Sequence, residues 1–133
     1  MDKNELLKIA KEARERAYAP YSHFYVGAAL LCEDGSVYTG CNIENASFSP
    51  TCCAERTAVF KAVSEGKRRF SAIAVVGGKS DSEANTPCYP CGVCRQVISE
   101  FCDDSFLVIT ENGGIAESTA FSDILPKRFK INN

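Results

Sequence analysis

The chain has 133 residues, 17 acidic and 15 basic side chains, a formal net charge of −2 and a pI near 5.4, a balance that supplies no basic field for a polyanion and disfavours nucleic acid as a partner. Its length predicts one domain over 1–133 that buries a core without disulfide support. The polar opening Met1-Asp2-Lys3-Asn4-Glu5 is followed by no apolar run of the signal-peptide or membrane-span kind, so a cytoplasmic protein is expected, whose eight cysteines are thiols with a few of them holding metal.

Leu6, Ala10, Ala13 and Ala17 recur at helical spacing, and Asp2 with Glu5 has the pattern of a capping box, predicting an amphipathic helix over 5–17 that ends near Pro20. The run Val26 to Cys32 is almost wholly apolar and suits a strand covered on both faces. Asp34-Gly35 then turns the chain into a second strand, Val37 to Ile43. Helical periodicity resumes over 52–65 and closes at Gly66, and a third strand follows at Ala72 to Val76. Beyond a Gly/Ser/Asp-rich loop, Gly92 to Phe101 reads as a helix, and Phe106 to Thr110 and Ile115 to Thr119 read as strands. The order predicts a three-layer α/β/α sandwich around a mixed five-stranded sheet. Only Glu111-Asn112-Gly113-Gly114 separates the last two strands, far less than a parallel crossover needs, so they should pair antiparallel.

Two cysteine clusters fall at predicted helix starts. One is Cys52-Cys53-Ala54-Glu55-Arg56; the other, Thr86-Pro87-Cys88-Tyr89-Pro90-Cys91-Gly92-Val93-Cys94, contains Cys-x-x-Cys twice. Unpaired N–H groups and the positive end of the helix dipole favour thiolates there. Three thiolates can hold zinc and leave a fourth position open, as in a catalytic site, and a carboxylate two residues after a ligand can carry protons beside it.

Cys-Ala-Glu followed by Pro-Cys-x-x-Cys resembles the zinc-dependent cytidine deaminase family, specifically its small, Cys-ligated, homotetrameric type. The resemblance extends through "YAPYSHFYVGAALL" at 18–31, "GCNIENASFS" at 40–49, "CAERTAVFKAVSEG" at 53–66, "PCGVCRQVISEF" at 90–101 and "ILPKRF" at 124–129. It implies one zinc per subunit, hydrolytic deamination of cytidine and deoxycytidine in pyrimidine salvage, and sites near subunit interfaces.

Within that reading the doubled motif has a physical resolution. In the Cys91/Cys94 pair both intervening residues, Gly92 and Val93, offer N–H groups, and the cysteines lie one helical turn apart; in the Cys88/Cys91 pair Pro90 has no N–H. Zinc is therefore assigned to Cys53, Cys91 and Cys94, with Cys88 a loop thiol and Cys32, Cys41 and Cys102 buried small apolar residues. Three thiolates and a dication sum to −1, so Arg56 is expected to offset charge at the sulfurs, as the resemblance also implies. Glu55 is the expected proton carrier. His23, the single histidine, reads as a loop residue.

Strand alternation puts Asn42 and Glu44 on one face, with Ile43 packed into the other. The resemblance gives Asn42 and Glu44 the ribose, Phe24 the pyrimidine face, and the Ala54 N–H and Pro90 carbonyl the base edge; Phe129 would reach a neighbouring subunit's site. A polynucleotide-editing branch of the family places a helix between the last two strands, which four residues cannot hold. A blasticidin-type deaminase is the alternative among small-molecule enzymes, and structural zinc or a redox Cys-x-x-Cys the non-hydrolytic one.

Overall fold

The first helix, α1 (Lys3–Arg14), begins where the capping pattern places it, with the Asp2 carboxylate accepting from the Glu5 N–H at 2.9 Å. It stops short of the expected residue 17, because the Tyr18 N–H turns away to the Asn42 carbonyl at 2.9 Å and ties this segment to the far side of the first hairpin. The computed structural model describes residues 1–80 and 84–131; the centre of the loop predicted after the third strand lies outside them. The remaining elements are β1 (Tyr25–Cys32), β2 (Val37–Cys41), α2 (Ala54–Ser64), β3 (Phe70–Gly78), α3 (Gly92–Ser99), β4 (Leu107–Asn112), β5 (Ile115–Ala120) and the short α4 (Phe121–Ile124).

The strands form one sheet in the order β2-β1-β3-β4-β5. Neighbours are antiparallel except β3 and β4, which run parallel with α3 in the connection between them. The last hairpin is tighter than its sequence suggests: β4 continues through Asn112 and β5 starts at Ile115, leaving Gly113-Gly114, both at positive φ, as the turn.

Alternation along the strands feeds two cores. On one face Ala28 and Leu30 of β1 and Ile73 and Val75 of β3 pack with Ala58, Val59 and Ala62 of α2 and Ile98 of α3. On the other, Ala29, Ala72, Ala74 and Val76 meet Leu6, Leu7 and Ala10 of α1. A strand covered on both faces needs apolar residues at every position, which is why β1 and β3 read as almost wholly apolar runs. The helix α4, not foreseen, follows from packing rather than periodicity: Phe121 is fully buried and edge-on to Phe106, with ring centres 5.7 Å apart.

One close approach fixes the site's foundation. A Cβ at Gly40 of β2 would lie 2.3 Å from the Ala54 carbonyl oxygen and 2.5 Å from the Ala58 nitrogen, so only glycine lets the first turns of α2 rest on this strand.

Candidate active site

Cys53 and Cys91 are the N-cap residues of α2 and α3, and Cys94 lies in the first turn of α3. The three sulfurs lie within 4.8 Å of one another, and Cys53 and Cys91 Sγ are 3.8 Å apart. A tetrahedral ion with Zn–S bonds of about 2.3 Å separates its sulfurs by about 3.8 Å. The cluster therefore has the dimensions of a zinc site. Its electrostatics agree: the Cys53 thiol is held down to about 5, by a hydrogen bond from Cys94 and then by Arg56. Cys94 is correspondingly raised by donating to Cys53 and by burial. These contacts favour the thiolate form at Cys53, and a dication would draw out the other protons. Cys88 stands outside the cluster.

Arg56 points its Nη2 at Cys53 Sγ, 3.3 Å away, while its Nε is buried with no partner among the described residues. Contact with the Cys53 sulfur raises the pKa of the guanidinium, so it is a fixed positive charge beside the cluster. Glu55, one residue earlier and only 4% exposed, is pushed up to about 7 by burial, with the Cys53 charge adding to the shift.

Glu55 lines a cavity of about 270 Å³ together with Cys53, Cys91, Phe24, Asn42 and Glu44. Ala54, the first residue of α2, is on the same wall, and its N–H has no acceptor within the helix by virtue of its position. The wall also contains Ser22, Val26, Thr51, Cys52, Cys88 and Tyr89, none of which periodicity could place there. Next to it a second cavity of about 310 Å³ shares Ser22, Glu44 and Thr51 and has the exposed Phe48 on its rim.

Asn42 and Glu44 are brought together, but not by strand alternation. The strand ends at Cys41, and Ile43, expected to pack inward, is 46% exposed in an isolated bridge to Tyr18 and Cys52. The cause is Asn42 itself. Its Oδ1 accepts from the Val26 N–H and its Nδ2 donates to the Phe24 carbonyl, both at 2.8 Å; the Asn42 N–H still donates to the Val26 carbonyl, so the side chain replaces only the return bond of the ladder, whose usual acceptor, the Asn42 carbonyl, is taken by Tyr18. This occupies one lone pair and one N–H of the amide and leaves one of each. The Glu44 carboxylate accepts from the Ser22 hydroxyl and from the Tyr21 and Ser22 N–H groups, which hold it below the usual carboxylate range. Ser22 is thus a site residue that sequence reasoning missed, and a serine in a loop gives no periodic signal by which to find it.

The Pro90 carbonyl accepts from Arg95 Nε at 2.7 Å, which occupies one of its two lone pairs, while Tyr89 and Cys91 on either side line the cavity. Two expectations change on the structure. Cys41 and Cys102 are half-buried rather than buried, and the Cys102 sulfur accepts from Arg128 Nη1; only Cys32 is enclosed. Cys88 is a loop thiol, but one that faces the cavity. Elsewhere, Phe129 is 69% exposed and lies away from this cavity, directly after Arg128, whose guanidinium is tethered to Cys102 and stacked on the Phe121 ring. His23 sits exposed in a loop at φ 57.

Residues 1–110 match the family model described as the cytidine and deoxycytidylate deaminase zinc-binding region. A curated relative from Sporosarcina psychrophila, named cytidine deaminase, is 55% identical over 97% of this chain and 92% of its own length. A blasticidin-S deaminase from Bacillus cereus is 31% identical over 96% of this chain and 92% of its own. The crystal structure of cytidine deaminase from Burkholderia pseudomallei superposes with a TM-score of 0.87 at 48% identity, covering 97% of this chain and all of that one. With a thiolate cluster of zinc dimensions at two helix starts and this match across 110 residues, the chain belongs to the cytidine and deoxycytidylate deaminase zinc-binding family.

Proposed function

We propose that the protein hydrolyses cytidine and deoxycytidine to uridine and deoxyuridine with release of ammonia. The observation that carries this reading is the placement of Glu55, a nearly enclosed carboxyl group, on the wall of one nucleoside-sized cavity with Cys53 and Cys91 of the three-sulfur cluster. Cys53, Cys91 and Cys94 hold zinc, which when bound supplies the Lewis acidity that activates water at neutral pH. Glu55 takes a proton as water adds to C4 of the pyrimidine. It delivers that proton to N3, then takes the second proton from the C4 hydroxyl and delivers it to the amine, so that C4=O forms as the C4–N4 bond breaks and neutral ammonia leaves. The burial that raises its pKa suits it to both steps near pH 7. Arg56 offsets the surplus negative charge of three thiolates.

At the other end of the cavity Asn42 and Glu44, already fixed by backbone and by Ser22, bind the ribose hydroxyls, and this pre-ordering lowers the cost of binding. Phe24 packs on the pyrimidine, and the Ala54 N–H and the Pro90 carbonyl, which keeps a second lone pair beside its bond from Arg95, read its edge. The protein works as a cytoplasmic homotetramer in pyrimidine salvage, with neighbouring subunits closing the adjoining cavity over Phe48 and bringing Phe129 to a site. The exposure of both aromatics in the single chain supports that assembly.

The test is ammonia release by zinc-loaded protein from cytidine, deoxycytidine, their monophosphates and blasticidin S. Turnover of the nucleosides well above that of the other compounds is expected; turnover of blasticidin S alone, or of none of them, would refute the reading.

A further inference from the structure

We propose that Cys88 gauges the C5 edge of the bound pyrimidine and so decides which ring-substituted cytidines this protein accepts, an inference that rests on the cytidine reading above.

A cytosine ring has polar positions at O2, N3 and N4 and a hydrocarbon edge at C5 and C6. The polar positions are served on the side of the cavity made by Ala54, Glu55 and Cys91. With Phe24 packed on the ring face, the remaining apolar or aromatic side chains of the wall are Val26, Cys52, Cys88 and Tyr89, of which Val26 and Cys88 are the two that converge with Phe24 on Gly77. These two are ordered along the cavity. The Val26 N–H is bonded to Asn42 Oδ1, which places Val26 at the sugar end. Cys88 lies three residues before Cys91, the N-cap of α3, on the segment that carries the sulfur cluster to the cavity, which places it at the reacting end. In the ring C6 adjoins the sugar-bearing N1, and C5 adjoins C4, where the amine leaves. Val26 therefore faces C6, and Cys88 faces C5.

The wall has a built backing. A Cβ at Gly77 would sit 2.7 Å from Cys88 Sγ, 3.0 Å from a Phe24 ring carbon and 3.1 Å from a Val26 methyl, so three cavity-lining side chains converge on the one β3 position that has none. With Cys88 also packed against the main core, the thiol has little room to retreat when a substituent arrives at C5. Burial pushes it up to about 11, so it meets the ring as a small neutral group.

The experiment measures kcat/KM for cytidine, 5-methylcytidine and 5-bromocytidine with the zinc-loaded wild type, Cys88→Ala and Cys88→Leu. The expected result is a rise of roughly 10-fold in the ratio of 5-substituted to unsubstituted substrate for Cys88→Ala, the scale on which one carbon-sized group is discriminated in an apolar pocket. For Cys88→Leu the ratio should fall. If Cys88→Leu does not fold, Cys88→Ala decides alone. A ratio that stays at the wild-type value in Cys88→Ala, whatever happens to the absolute rates, overturns the assignment while leaving the deaminase reading intact. A zinc-loaded wild type inactive on cytidine overturns both.

Discussion

Replacing Gly40 by alanine tests whether the contact between β2 and α2 sets the geometry of the site. The added methyl would meet the Ala54 oxygen at 2.3 Å, about 1 Å inside the 3.4 Å at which ordinary contact begins, and the Ala58 nitrogen at 2.5 Å. Both obstacles are backbone, so no side chain can swing aside and the helix start has to move by a comparable distance. That helix start carries Cys53, Ala54 and Glu55. Overpacking of this kind costs about 1–3 kcal/mol, which for a chain of this size lowers Tm by roughly 4–11 °C, and a displacement of about 1 Å at a reacting group can cost on the order of 10² in rate. The control is Gly35→Ala in the first hairpin. Its φ of +90° makes an L residue strained, yet a Cβ there meets nothing within 4 Å. That strain costs about 1 kcal/mol without touching α2. Thermal unfolding of both variants, with cytidine kcat/KM measured on folded, zinc-loaded protein, separates the effects: Gly40→Ala should lose Tm and activity, Gly35→Ala Tm alone. Wild-type kcat/KM in Gly40→Ala would refute the reasoning.

Glu55→Gln keeps the shape of the side chain and removes the proton carrier. Zinc should remain at one per chain while turnover falls by roughly 10²-fold or more, and near-normal turnover would contradict the mechanism. Arg56→Gln removes the fixed positive charge 3.3 Å from Cys53 Sγ. Its zinc affinity and cytidine turnover should both fall, checked by competition with a chelator of known affinity and by steady-state rates; both at wild-type values would reduce Arg56 to a surface residue.

Much of this arrangement is legible in the chain because local chemistry and tertiary position agree. Asp2 caps α1 since its carboxylate reaches an N–H three residues on, a property of short range. Cys53 and Cys91 sit at N-caps, where clusters followed by helical periodicity place them. The two central strands, β1 and β3, announce themselves as almost wholly apolar runs. What escaped depends on contacts between distant segments. The second strand stops at Cys41 because the Asn42 amide bonds backbone sixteen and eighteen residues away, and no alternation rule registers a side chain standing in for a ladder bond. Arg95 bridges the Pro90 carbonyl through Nε and the Ile124 carbonyl of α4 through Nη1, a tie between distant segments that no local pattern signals. The wall made by Cys88 exists because Gly77, on a strand joined through a loop, leaves space for it.

The assignment of zinc to Cys53, Cys91 and Cys94 is tested most directly by zinc content in two serine variants of the doubled motif. Serine is a poor substitute for thiolate, since it stays protonated and offers the ion a hard, neutral oxygen. Elemental analysis of folded Cys88→Ser should find one zinc per chain, and the same analysis of Cys94→Ser should find the metal lost together with cytidine turnover. A folded Cys88→Ser protein without zinc, beside a Cys94→Ser protein that retains it, would contradict the account.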